Sequence, residues 1–200
     1  MSRGRKRGNH ERRRNEIAEA ACKVFLRQGL ARTSLANIAR EMGSTTGVLG
    51  HYFADKEELL LCAKNLLFDR QYQRASQAAE RCLGLEKIRA MATEFLPCGT
   101  ETLNQYRLLA MFIGNAIGDL RLVETQRKRD ERHSLLVAGV IRTLQREGIV
   151  PKKRNARLEA VGILAFVDGL AEHAIMRRKP FSCRALARLL NRYLSTLVQE

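Results

Sequence analysis

Within the stretch SLANIAREMGSTTGVLGHYF, Ser34 to Phe53, the spacing of Thr46, Gly47, Gly50 and His51 gives them one face of a short helix, and that face is small and polar. Ahead of it, the segment from Ser2 to Arg14 sets Arg3, Arg5, Lys6, Arg7, Arg12, Arg13 and Arg14 against one acid, Glu11. Polar groups on a slim helix face can hydrogen-bond base edges and phosphate oxygens, and cations placed on phosphates release counterions. The chemistry on offer is non-covalent recognition of double-stranded DNA. Catalysis has no comparable foothold, because the chain carries no G-x-S-x-G elbow, Walker loop, GxGxxG or H-E-x-x-H. Its histidines, His10, His51, His133 and His173, are scattered and pair with no carboxylate or cysteine at ligand spacing. The expectation is therefore a non-enzyme that uses neither a metal nor an organic cofactor.

To present that face, the chain needs two short helices and a sharp turn. Ser34 is placed to cap the first, with Leu35, Ile38, Ala39 and Met42 as its apolar side. Gly43 follows where the backbone must reverse, and a left-handed conformation there meets no Cβ penalty. Thr45 caps the second helix, whose Val48, Leu49 and Tyr52 should lean on the first while Thr46, Gly47, Gly50 and His51 turn outward. An ordinary αα-hairpin uses the same glycine turn and apolar spacing, so the pattern alone admits both readings.

The basic segment has almost no apolar side chain and is expected to be a mobile arm, residues 1–9, that adds phosphate contacts and reaches a minor groove; a solvated tail is the other reading. Over the whole chain the formal net charge of +15 and the pI of about 10.3 favour a polyanionic partner. Residues 1–60 hold twelve basic against seven acidic side chains, so most of the excess lies elsewhere. A sequence-indifferent basic protein that coats DNA or an anionic membrane surface is accordingly the competing class. No run approaches the roughly 20 apolar residues of a membrane span, and no apolar segment follows the basic start as in a secretory leader. A cytoplasmic protein without a membrane partner is expected. Cys22, Cys62, Cys82, Cys98 and Cys183 are odd in number, widely spaced and without a CxxC pair, which suits reduced thiols better than a disulfide scaffold or zinc site.

The remainder reads as helix. Ile17, Ala20, Ala21, Val24 and Phe25 give a first helix one buried side, ended at Gln28-Gly29. Asp55 and Glu58 form a D-x-x-E start for a helix of about 25 residues, roughly 37 Å, passing through Leu59, Leu60, Ala63, Leu66 and Leu67 towards Ala79. Further helices are expected over Leu85 to Phe95, Glu101 to Ile117, Leu120 to Glu147, Asn155 to Arg178 and Cys183 to Val198. The stretch AVGILAFVDGLAEHAIM, Ala160 to Met176, is apolar almost all round at its start, so a second copy of the chain is expected to cover part of it. Val161, Gly162, Ala165 and Gly169, with Leu186 and Leu190 of the last helix, are the expected interface of a homodimer packed as four helices; lining the monomer core is the alternative.

RRRNEIAEAACKVFLRQGL, the Ser34 to Phe53 segment and ADKEELL together resemble the DNA-binding domain of the TetR family of regulators over roughly residues 10–70. The resemblance implies an all-α fold, about nine helices in all, with a three-helix helix-turn-helix domain at residues 10–70 and an effector-binding and dimerisation domain at 71–200. It implies DNA contacts from Ser34, Thr45, Thr46, Gly47, Gly50, His51, Tyr52 and Lys56, and control of transcription as a repressor released from a palindromic operator by a small molecule. Gly50 departs from the Tyr or Ser common in relatives and removes a side-chain contact. TTGVLGHYFADK and AFVDGLAEHAIMRRKPF further resemble the BetI-like branch. There DGL is commonly followed by Trp, whereas Ala171 stands here and the chain has no Trp, so the architecture carries over and a choline-type ligand, best held by an aromatic cage, does not. For the unidentified effector, Met111, Phe112, Asn115, Phe166, Asp168, Glu172 and His173 are the expected pocket residues, although a Met and Phe stripe at helical spacing also suits plain core.

Overall fold

The predicted caps Ser34 and Thr45 and the predicted start at Asp55 are each made by a local hydrogen bond from a backbone N–H three residues on. The computed structural model describes residues 2–177 and 181–199, without the side chains of residues 2–7. Among the described residues the order is α1 (Ser2–Gln28), α2 (Leu35–Glu41), α3 (Thr46–Gly50), α4 (Lys56–Glu80), α5 (Glu86–Thr93), α6 (Gly99–Ala116), α7 (Leu120–Arg146), α8 (Ala156–Met176) and α9 (Cys183–Ser195), then a 3₁₀ turn, Thr196–Val198. The fold is all-α, as the residue patterns predict. The chain divides into two compact units, Met1–Asp69 with Arg107–Asn115, and Arg70–Tyr106 with Ala116–Glu200.

In the first unit α1 packs on α2 and α2 on α3. The α1 face of Ile17, Ala18, Ala21, Val24 and Phe25 is fully buried, as are Ile38 of α2, Leu49 of α3 and Leu59 and Ala63 of α4. Each large side chain so buried contributes about 1.5–3 kcal/mol, enough together to hold a five-residue helix that could not persist alone. Gly43 (φ 61°) lets Ser44 N–H reach Ala39 O at 2.8 Å and its own N–H reach Arg40 O at 3.1 Å, closing α2 with two hydrogen bonds at its end. Within the expected arm the backbone is helical: α1 begins at Ser2, so residues 2–9 continue the helix, which arginine and lysine favour as good helix formers. The side chains of Arg3, Arg5, Lys6 and Arg7 lie outside the described residues.

In the second unit α7 lies along α8, and α9 packs on α5 and α8. Ile88, Met91, Val137, Ile141, Leu144, Ile163, Val167, Leu186 and Leu190 are fully buried in one core. Asp119, Asn155 and Ser182 cap α7, α8 and α9, accepting from Arg121 N–H at 2.8 Å, Arg157 N–H at 3.0 Å and Ala185 N–H at 3.2 Å. No helix among the described residues is long and apolar enough to cross a membrane.

Candidate nucleic-acid interface

The outward side of α3 is built by anchoring its other side. Leu49 is fully buried, Phe53 just beyond is 1% exposed, and Thr46, Gly47, Gly50 and His51 are exposed. Ser34 and Thr45 perform the predicted caps: Asn37 N–H donates to Ser34 Oγ at 3.2 Å and Val48 N–H to Thr45 Oγ1 at 3.4 Å. Each hydroxyl still has its own proton to donate, so capping and contact with an acceptor are compatible. Tyr52 is half-buried, with its ring 5.3 Å from that of His51 and 4.8 Å from that of His10 on α1. Lys56 donates to Leu30 O at 3.4 Å, tying the start of α4 to the loop after α1. Val48 differs from expectation: it is 39% exposed, because Leu49 and Phe53 take the inward positions of so short a helix.

Arg14 holds this surface together. Its Nη2 donates to Glu58 Oε1 at 2.9 Å, its Nη1 donates to Tyr52 O, and its guanidinium lies 4.2 Å from the centre of the Phe53 ring. The residue patterns count Arg14 only among the charges of the basic run; its partners are far away in sequence and no spacing rule points to them. Glu58 also acts in the predicted D-x-x-E start, where its N–H donates to Asp55 Oδ1 at 2.7 Å and its Oε2 accepts from Ala54 N–H at 2.8 Å. The Ala54 N–H, and after it Arg14, hold the Glu58 carboxyl below the usual carboxylate range. Arg27 on α1 pairs with Glu41 on α2 at 2.9 Å, and that hydrogen bond lowers the Glu41 carboxyl likewise. The result is a rigid support under an exposed polar helix face, suited to reading a groove rather than to bond chemistry.

The residues expected at a dimer interface separate into two groups. Leu186 and Leu190 are fully buried in their own chain, a correction with a simple cause: the stripe of α9 is covered by α5 and α8. Gly162 also serves its own chain, since a Cβ there would stand 2.5 Å from Tyr193 Oη of α9. Val161, at 53%, and Ala165 are exposed, and Gly169 is half-exposed. Leu158 at 69% and Leu189 of α9 at 41% add to this apolar surface and were missed, because spacing identifies a stripe without saying what covers it.

The expected effector residues fall in different places. Met111, Phe112 and Asn115 belong to the first unit, where Phe112 is buried beneath the Lys64 ammonium, 4.0 Å from the ring centre. Asn115 is exposed and donates back to Met111 O at 2.7 Å. In the second unit Phe166 stacks on Tyr193 at 4.6 Å, and Glu172 and His173 are exposed. Ala171, at the position of the relatives' Trp, is fully buried. Asp168 lines an open cavity of about 490 Å³ with Asp130, Glu131, Arg127, Arg157 and the apolar Val161 and Leu164. Asp168 is exposed at the mouth of this cavity, where partial desolvation first, and the Asp130 carboxylate second, push its carboxyl up to about 6. Among the described residues no group of His, Cys, Asp and Glu could hold a metal ion.

Comparison with known proteins agrees with this geometry. Residues 17–63 match the family described as bacterial regulatory proteins, tetR family, and residues 84–199 match the BetI-type transcriptional repressor, C-terminal. The chain is similar to the HTH-type transcriptional regulator PksA of Bacillus subtilis (strain 168), 29% identical over 96% of this chain and 93% of the relative. It is also similar to the HTH-type transcriptional regulator BetI of Paraburkholderia xenovorans (strain LB400), 26% identical over 96% and 97%. A crystal structure of a transcriptional regulator from Rhodococcus sp. Rha1 superposes with a TM-score of 0.80 at 24% identity, covering 93% of this chain and 96% of that one, and so shares the fold. These relatives regulate transcription and are not enzymes. With its α3 face supported as described and both halves matched, the chain belongs to the TetR family of bacterial regulators, a DNA-binding regulator of transcription whose C-terminal half is of the BetI repressor type.

Proposed function

We propose that this regulator acts as a homodimeric repressor that sets its two α3 helices into successive major grooves of a palindromic operator and is released by a small-molecule effector. The observation that carries the reading is the exposed, polar side of α3 on a buried apolar anchor. In it Thr46, Gly47 and His51 approach base edges, Ser34, Thr45, Tyr52 and Lys56 hold phosphates, and Gly50 lets the backbone come near. Pairing of two chains through the exposed α8 residues Leu158, Val161 and Ala165 and the half-exposed Gly169 supplies the fixed separation a palindrome requires. An effector acts by binding one spacing of the two α3 helices better than the other.

The test measures binding to a palindrome from the protein's own promoter, to scrambled duplex and to anionic vesicles, at about 50 and 200 mM salt. A large preference for the palindrome that survives the higher salt supports the reading, as base contacts release no counterions. Parallel loss on all three surfaces identifies a non-specific polyanion binder and overturns it. His51→Ala and Lys56→Ala should each weaken the palindrome complex while leaving the oligomeric state unchanged.

A further inference from the structure

The side of α1 that buries Ala18 continues beyond the core, one helical turn at a time, as Arg14 and then His10. There it meets the end of α3, all within the first unit. The His10 ring lies 4.8 Å from that of Tyr52, tilted 37° to it, and the His51 ring stands edge-on to Tyr52 at 5.3 Å. The two imidazoles are 6.3 Å apart. Tyr52 is thus gripped twice by α1, since Arg14 donates to its carbonyl and His10 packs on its ring. Both histidines are exposed, and among the described residues no hydrogen bond or ion pair occupies a ring nitrogen of either. Ring packing therefore fixes where these imidazoles sit and leaves their polar edges unspent. No spacing rule joins His10 to His51, because the pair is assembled by the docking of α1 against the end of α3.

We propose that His10 is a further DNA contact, and that His10 and His51 take up protons as the duplex binds, so that the complex tightens as pH falls. This rests on the α3 reading and adds to it a residue of α1 and a means of regulation. Histidine is the side chain that ordinarily changes charge between about pH 5 and 8, and its protonated ring carries two N–H donors. In the free protein two such cations 6.3 Å apart, with Arg14 one turn from His10, repel one another. The phosphates of a bound duplex reverse that balance, since each cation set against them gains attraction and releases counterions. A group protonated more readily in the complex than in the free protein makes affinity rise as pH falls, and the sign is the same for both rings. The other charges nearby are already engaged: Arg12 and Arg13 with Glu16, Arg14 with Glu58 of α4, Asp55 with the Glu58 N–H, and Lys56 with Leu30 O. Glu11, next to His10 in the chain, lies on a different side of α1. The side chains of Lys6 and Arg7, one turn earlier, lie outside the described residues. Carboxylates, lysine and arginine ordinarily titrate well away from neutral pH, so the response belongs to the two imidazoles.

Fluorescence anisotropy of the full-length protein on a labelled duplex from its own promoter tests it, at fixed ionic strength from pH 8 to pH 6 with EDTA throughout. Each histidine that gains one proton on binding adds a slope of about one in log affinity per pH unit where it titrates, so the wild type should gain at least about tenfold over the range. His10→Gln should lose about half of that gain in log affinity, and His10→Gln with His51→Gln nearly all of it. His10→Phe separates contact from packing: it keeps a ring against Tyr52 but carries no charge, so it should lose as much of the response as His10→Gln. A wild-type affinity flat from pH 8 to pH 6, a full response in His10→Phe, or a response surviving the double substitution would each overturn the proposal. Thr46→Ala, measured at pH 8 alone, tests the α3 reading separately. Weakened binding in Thr46→Ala beside a flat wild-type pH profile removes the His10 contact and leaves that reading standing, whereas undiminished binding beside a flat profile removes both. Circular dichroism at both ends of the range confirms that each variant is compared as a folded chain.

Discussion

The α3 face of the first unit and the α8 face of the second are both exposed surfaces on buried helices, yet they are built in contrasting ways. Around α3 the geometry is set by neighbours in sequence: the caps Ser34 and Thr45, the left-handed Gly43 and the Asp55/Glu58 start all act within a few residues of themselves. On α8 and α9 the spacing of apolar residues is equally clear, but which of them meets the protein's own core is settled by distant helices. Leu186 and Leu190 are buried while Leu158 and Val161 are not. A surface made by local hydrogen bonds announces itself in the chain; a surface left over from packing does not.

Substitutions can break or sharpen that contrast. The largest effect is expected from Leu49→Ala, which removes the anchor of α3 and should cost about 2–5 kcal/mol, read as a lowered urea midpoint. Leu190→Ala should cost a similar amount, in keeping with a core rather than an interface position. If either changes stability by less than the scatter of such measurements, the assignment of buried anchors fails.

Next in size is Val161→Glu. It places a charge on an exposed position and should leave the monomer fold nearly unchanged, but weaken self-association at least about a hundredfold, or about 2.7 kcal/mol. Sedimentation velocity over a concentration series reads it out. Undisturbed pairing would place the interface elsewhere.

Arg14→Ala should destabilise the chain by about 1–2 kcal/mol, through loss of a charge-assisted hydrogen bond and a ring contact at half-buried positions. Because the Glu58 carboxyl is held below its usual range, its contribution is present above the ordinary carboxylate pKa and disappears as pH falls through the lowered value. Chemical denaturation across acidic pH should therefore show a shallower acid-side loss in Glu58→Gln than in the wild type.

The smallest effect belongs to Asp168→Asn, and its sign is opposite. The folded-state pKa of about 6 lies above the unfolded one, so the group's stabilisation is complete below the unfolded value and is lost as pH rises through about 6. Near pH 7 the amide should thus be more stable than the acid, by no more than about 1 kcal/mol after solvent screening. Below pH 4 the two should coincide, and a lower midpoint for the amide at pH 7 would refute the assignment.

These contrasts explain what was legible. From α2 to α8 the helix bounds lie within about two residues of expectation because caps, glycines and apolar periods are local, whereas the start of α1 at Ser2 and the end of α9 at Ser195 were not legible; the turn at Gly43 follows from the same local rules. Arg14 was legible only as charge, because its partners Tyr52, Phe53 and Glu58 arrive through folding. Val48 was misjudged since a helix of five residues has too few turns to define a face by periodicity. The expected effector residues mixed a buried Phe112 with exposed Asn115, Glu172 and His173, because a pocket wall and a core share the same apolar spacing.

The most direct test of the account is a hydroxyl-radical footprint of the full-length protein on its own promoter. Two paired α3 helices predict two protected blocks centred one helical turn apart, about 34–36 Å along the duplex, with protection lost in His51→Ala. Uniform protection spreading with protein concentration, or blocks unaffected by changes on the exposed side of α3, would contradict it.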